Sequence, residues 1–184
     1  MKELFTRIAV AIVGIPLLLF LIWQGSWYFF ALIVIISLVG QLEFYNLVKE
    51  KDAYPQIFTG VIMTVLLLLM VQSGYNKKLL ALFILMITIL FAYEMFRNKV
   101  SAILNTSVTL SGVVYPGFFL APLLFLRGNI QNLGISSPYG FIVTLFIAIW
   151  ICDTAAYFVG KSVGKNPLFK RVSPKKSVEG ALGK

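Results

Sequence analysis

Two stretches toward the carboxy-terminal end hold the residue types that could do chemistry. Asp153 lies near the end of a very apolar run, in Asp153-Thr-Ala-Ala-Tyr-Phe-Val-Gly160. The second stretch, Ser173-Pro-Lys-Lys-Ser-Val-Glu-Gly180, is polar and carries Lys175, Lys176 and Glu179. A charge at mid-bilayer costs about 2.5–3.5 kcal/mol on insertion scales, so an acid in an apolar helix marks a substrate or ion pathway by default. On a helix, Asp153, Ala156, Tyr157, Gly160 and Gly164 share one face. That face is small and polar, suited to a packed interior or a wet cavity. The competing reading makes Asp153 an acid hydrogen-bonded to a neighbouring helix as glue.

Lys175 and Lys176 follow Pro174, which sets a rigid turn, and Ser173 or alternatively Ser177 is placed to cap a helix start. Backbone donors there, with two lysines, favour a phosphate or triphosphate. Glu179 can assist a divalent ion or pair with a lysine. On charge alone, a juxtamembrane basic patch for anionic lipid headgroups is the simpler account of the lysines. Gly160-Lys161-Ser162 imitates the end of a phosphate-binding P-loop. That motif needs a glycine five residues before the Gly-Lys pair and a preceding strand, whereas position 155 is alanine and an apolar helix precedes it.

The elements that must position these residues are set by composition. The chain has 184 residues, 59% hydrophobic and 12% charged, and a mean hydropathy of +0.90. Soluble domains carry about 25% charged residues, so the excess apolar surface faces lipid. Continuous apolar runs indicate an all-α, polytopic transmembrane helical bundle and not a β-barrel. The runs predict about six spans: Ile8–Trp23, Trp27–Val48, Ile57–Val71, Leu79–Phe96, Leu110–Leu126 and Gly140–Val159. Pro116 and Pro122 predict a kinked or broken fifth span. Val100–Thr109, mildly polar, reads as a short surface helix. The division expected is a bundle over 1–160 and a cytoplasmic basic segment over 161–184, the start of the catalytic region.

The net charge of +9 is explained by topology and calls for no nucleic acid. With six spans, Lys2, Arg7, Lys49, Lys51, Arg97, Lys99 and the basic tail fall on one side, against Lys77, Lys78 and Arg127 on the other. The positive-inside rule then places the amino terminus and the tail in the cytoplasm. Glu43 and Glu94 lie near cytoplasmic helix ends, where they can reach water or pair with Lys49 or Arg97; Glu94 reads as structural, while Glu43 stays open between structure and function. The chain has no histidine and one cysteine, Cys152, which excludes an internal disulfide and the usual neutral-pH proton shuttle.

The wording of Asp153–Gly160, Gly164-Lys165 and Ser173–Gly180 resembles the phosphatidate cytidylyltransferases, or CDP-diacylglycerol synthases. That family shows an Asp-Thr-x-Ala-Tyr-Phe-x-Gly helix and a Ser-Pro-Lys-Lys-Thr-x-Glu-Gly segment at this spacing. Ser177 replaces the usual threonine but keeps the hydroxyl, and Val178 stands where an aromatic residue is common. The resemblance implies a nucleotidyltransferase of phospholipid biosynthesis in a bacterial inner membrane, its active face cytoplasmic. The implied partners are CTP and phosphatidate, the cofactor is Mg²⁺, and a homodimer is allowed.

The resemblance gives Asp153, Lys175 and Lys176 catalytic roles, with Asp153 also toward the metal. Ser173, Lys175, Lys176, Ser177, Glu179 and Gly180 bind substrate or shape the loop. The family's carboxy-terminal signature, with its metal-binding aspartates, is not among these 184 residues, so the chain is expected to be an inactive amino-terminal portion. The alternatives are a CTP-dependent lipid kinase of the dolichol or phytol type and a secondary transporter using Asp153 and the broken fifth span.

Overall fold

In a lipid-facing chain every backbone polar group must be satisfied within the segment, so the apolar runs form helices. The computed structural model describes residues 2–74, 76–129, 134, 136–169 and 173–183, with backbone alone at 2–10, 129, 169, 174 and 175. It falls into two compact units, 1–139 and 140–184.

The first unit is helical throughout. It contains α1 (Lys2–Gln24), α2 (Ser26–Lys49), α3 (Ile57–Gln72) and α4 (Lys77–Phe96). These are followed by α5 (Ala102–Gly112), a π-helical segment (Val113–Phe118) and α6 (Phe119–Asn129). Among the described residues, α2, α4, the continuous stretch Ala102–Gly128 and α7 below are long and apolar enough to cross a membrane, while Ala11–Gln24 and α3 are shorter apolar helices. The chain is an all-α polytopic membrane protein. Asn76 starts α4 by accepting the Lys78 N–H at 3.0 Å, and Ser101 caps α5 on Leu104 N–H at 3.3 Å, as short polar side chains do at helix starts.

Two expectations are corrected. Of the kink or break expected for the fifth span, the break does not occur: Ala102–Gly128 is one continuous helical stretch. Pro116 sits in the π-helical segment, where the Phe119 N–H reaches back to Val114 O, so one wide turn absorbs the missing donor and the helix continues. Pro122 lies inside α6. Nor is the polar stretch before this span a surface helix. It is α5, and Asn105, Thr106 and Thr109 on it are buried. Asn105 and Thr109 are hydrogen-bonded inside the bundle, so these two polar side chains need no water.

The core packs Met63, Leu90 and Val113 against Leu67, Phe83, Met86, Ile87 and Leu110. Beside it runs a polar layer. Tyr45 is wholly buried; its hydroxyl donates to Thr109 O at 2.8 Å and accepts from Gln41 Nε2 at 2.9 Å. The Ser37 hydroxyl donates to Pro116 O at 3.2 Å. Glu94 pairs with Arg97 at 3.3 Å and accepts from Gln56 Nε2 at 2.7 Å and Asn105 Nδ2 at 2.7 Å. The structural reading of Glu94 is thus the observed one. Glu43 lies exposed on α2.

The second unit holds α7 (Pro138–Val163), the strands β1 (Pro167–Phe169) and β2 (Ser173–Ser177), and α8 (Val178–Leu182). Pro138 opens α7 at the position where its fixed φ and missing N–H cost least. The strands pair antiparallel, Pro167 opposite Ser177 and Phe169 opposite Ser173. A small hairpin therefore follows the long helix.

Candidate functional site

Gly160 and Gly164, one turn apart at the end of α7, leave a face on which side chains are absent. The tail of the same unit fills it. A methyl group placed on Gly160 would stand 3.2 Å from Ser177 Oγ and 3.5 Å from Gly180 Cα. One on Gly164 would stand 2.9 Å from Ser177 Cβ, and one on Gly180 would meet Ala156 O at 2.9 Å. The small face therefore takes α8 and the end of β2 in close contact. This is the close helix approach that small residues permit.

Ser177 does two jobs there. Its side chain sits against the glycines, and its Oγ accepts the Gly180 N–H at 3.1 Å, capping α8. Of the two serines offered as caps, Ser177 is the one used. Ser173 is instead the first residue of β2, because the chain between them is extended and pairs with β1.

Glu179 is committed to the loop that leaves α7. Its carboxylate accepts the Lys165 N–H at 3.1 Å, the Asn166 N–H at 3.3 Å and Asn166 Nδ2 at 2.8 Å. The Val178 N–H donates to Asn166 O at 2.8 Å. A hydrogen bond from its own backbone N–H, then those from Asn166 and Lys165, hold the Glu179 carboxyl below its ordinary pKa, since donors favour the charged form. Of the two roles offered for Glu179, a metal or a lysine partner, the described contacts show neither; they are to the backbone N–H groups of Lys165 and Asn166 and to the Asn166 side chain.

Asp153 is exposed on α7, seven residues before Gly160 and so about 10 Å along the axis. Ala156 O, which touches Gly180, lies one turn from it. Lys176 is exposed on β2. The side chain of Lys175, like Lys170 and Arg171, lies outside the described residues. Lys161, in the last turn of α7, holds its Nζ 5.8 Å from the Tyr157 ring centre, and Ser162 Oγ donates back to Phe158 O at 2.8 Å. Gly160-Lys161-Ser162 is therefore helix, not a phosphate loop.

Among the described residues no cluster of three or more acidic or cysteine side chains could hold a metal. Mg²⁺ is commonly held by one or two carboxylates together with substrate phosphates. Asp153 is an exposed carboxylate of the type Mg²⁺ takes, and the Glu179 oxygens accept N–H donors from Lys165 and Asn166. Sequence reasoning missed Asn166. Its only signal was Asn166-Pro167, which reads as a generic turn.

The model of the Cytidylyltransferase family matches residues 5–184. The chain belongs to the cytidylyltransferase family. Curated relatives named phosphatidate cytidylyltransferase align along it. That of Synechocystis sp. is 31% identical over 96% of the chain and 67% of its own length. That of Bacillus subtilis is 28% identical over 100% of the chain and 68% of its length, and that of Brucella suis is 31% identical over 100% and 64%. The chain thus spans about two thirds of the length of these relatives. No solved structure matches it. The family match runs through both α7 and the hairpin, so the packed Gly160–Ser177–Gly180 contact lies inside the shared region.

Proposed function

We propose that the complete protein transfers a cytidylyl group from CTP to phosphatidate. A phosphatidate oxygen attacks the α-phosphorus of CTP, the bond from that phosphorus to the bridging oxygen breaks, and pyrophosphate leaves with CDP-diacylglycerol as the other product. The observation that carries this reading is the close packing of Ser177 and Gly180 on the Gly160 face of α7, within a chain matched by the family over 5–184.

Transfer of this kind depends on positioning and charge neutralisation. Lys175 and Lys176 take phosphates of CTP or phosphatidate. Asp153 orders the site and contributes a metal ligand. Ser173, Ser177, Glu179 and Gly180 shape the segment that carries the lysines. Mg²⁺, when bound, neutralises phosphate charge and orients the leaving group. The six-span reading, with the amino terminus and residues 161–184 in the cytoplasm of a bacterial inner membrane, rests on the sorting of Lys and Arg among loops. It puts the hairpin where CTP is available and α7 where lipid is.

The test is label transfer in detergent from CTP labelled at the α-phosphate, with phosphatidate and Mg²⁺. Label is expected in the lipid phase, and Lys176→Ala is expected to lower turnover about a hundredfold, the scale of a lost charge-stabilising group. Lipid labelled from the γ-phosphate and not the α-phosphate would overturn the reading.

A further inference from the structure

Asn166 is given no role by the reading above, yet it is hydrogen-bonded through its backbone and its side chain. Its backbone N–H and its Nδ2 donate to Glu179, at 3.3 and 2.8 Å. Its carbonyl accepts the Val178 N–H at 2.8 Å. It sits immediately before Pro167, the first residue of β1, which pairs with Ser177, the last of β2. A residue before proline is restricted to extended backbone, so the direction in which β1 leaves is set at Asn166.

We propose that Asn166 is a positioning residue: with Glu179 it clamps the two ends of the basic hairpin together and so fixes the lysine-bearing strand on α7. This rests on the reading of that hairpin as the phosphate-binding segment. The chain enters β1 through Asn166 and leaves β2 through Ser177 into Glu179. Tying residue 166 to residues 178 and 179 closes the loop at its base. The paired strands β1 and β2, the latter carrying Lys175 and Lys176, are then held together at that base. Only a short side chain with an N–H donor reaches the carboxylate while its own backbone accepts from Val178. Glu179 acts through this clamp and not through the metal.

The inference has a test that separates it from the cytidylyl reading. In the complete protein, Asn166→Asp sets a carboxylate against Glu179, and like charges at this distance repel. Amide hydrogen exchange at residues 165–166 is expected to rise about tenfold or more, and turnover with α-labelled CTP to fall at least about tenfold, as for contacting residues acting as a pair. Adding Glu179→Gln to Asn166→Asp restores a donor facing a carboxylate. The double variant is expected to recover part of the turnover lost in Asn166→Asp, with exchange at residues 165–166 still faster than in the parent, because the amide introduced by Glu179→Gln offers one acceptor oxygen where the carboxylate offered two.

Asn166→Asp with exchange and turnover at the parent's level overturns the clamp, because the Asn166 side-chain amide would then hold nothing. Unchanged exchange in Asn166→Ala overturns it as well. If the unaltered protein transfers no label, the cytidylyl reading fails, and the exchange measurements still decide whether the clamp exists.

Discussion

Asn105 donates its side-chain amide to the buried Glu94 carboxylate at 2.7 Å, and its Oδ1 accepts the Tyr54 N–H at 2.8 Å. One side chain on α5 thereby ties the end of α4 to the loop before α3. Arg97 closes the same group by donating to Tyr54 O at 2.8 Å. Removing Asn105 leaves a buried carboxylate oxygen and a backbone N–H without their partner. Asn105→Ala is expected to cost roughly 1–3 kcal/mol, read as a lower unfolding midpoint in detergent. An unchanged midpoint would show that the layer is not needed for stability.

Tyr45 fills the space that Gly60 and Gly112 leave open. A methyl group on Gly112 would stand 2.6 Å from Tyr45 Cζ, and the buried ring has nowhere to move. Gly112→Ala is expected to destabilise by about 1–3 kcal/mol, as overpacking does. Combining it with Tyr45→Leu is expected to recover part of the loss. Tyr45→Phe alone removes the bond to Thr109 O and should cost about 0.5–1.5 kcal/mol, the scale for hydrogen bonds between membrane helices.

Gly25 joins α1 to α2 at φ 60°, ψ −151°, a region open essentially to glycine alone. Arg127 occupies the side where a Cβ would project, and its Nε donates to Ile22 O at 3.0 Å. The guanidinium thus serves the carbonyl end of α1, where helix termini lack donors. Gly25→Ala is expected to cost about 1–3 kcal/mol from backbone strain and to displace Arg127. Arg127→Ala is expected to loosen α1, seen as faster hydrogen exchange at residues 20–24 with α3 unaffected.

The pH response of the hairpin follows from Glu179. A depressed carboxyl pKa means that the clamp is fully present above the unfolded-state value and is lost as pH falls through the folded-state one. The side-chain amide signal of Asn166 is therefore expected to titrate with a midpoint below 4.5, the ordinary glutamate value. A titration midpoint at or above that value would contradict the hydrogen-bonded clamp.

Gly164 and Ser177 give a prediction for the docked tail. A methyl group placed at Gly164 would meet the Gly160 carbonyl at the end of α7 and stand 2.9 Å from Ser177 Cβ, so Gly164→Ala strains both the exit of α7 and the seat of the hairpin. Label transfer is expected to fall about a hundredfold or more, as when a reacting group is misplaced by about 1 Å, while the helical content stays the same. Full turnover in Gly164→Ala would detach the docking from the function.

The sequence by itself determined that the chain is a helical membrane protein, because 12% charged residues cannot cover a water-facing surface. It also carried the family resemblance, read from the identity and order of residues in Asp153–Gly160 and Ser173–Gly180, and the family match over residues 5–184 bears that resemblance out. Pairing between Glu94 and Arg97 was legible too, since residues three apart on a helix are neighbours. What the tertiary structure decided are contacts between residues far apart in the chain. The burial of Asn105 and Thr109 depended on which elements surround α5, and local polarity pointed the wrong way. The survival of the helix through Pro116 depended on a π turn with Ser37 of α2 on its carbonyl. The Asn166–Glu179 clamp depended on strand pairing between β1 and β2, and no local pattern fixes which carboxylate meets which amide.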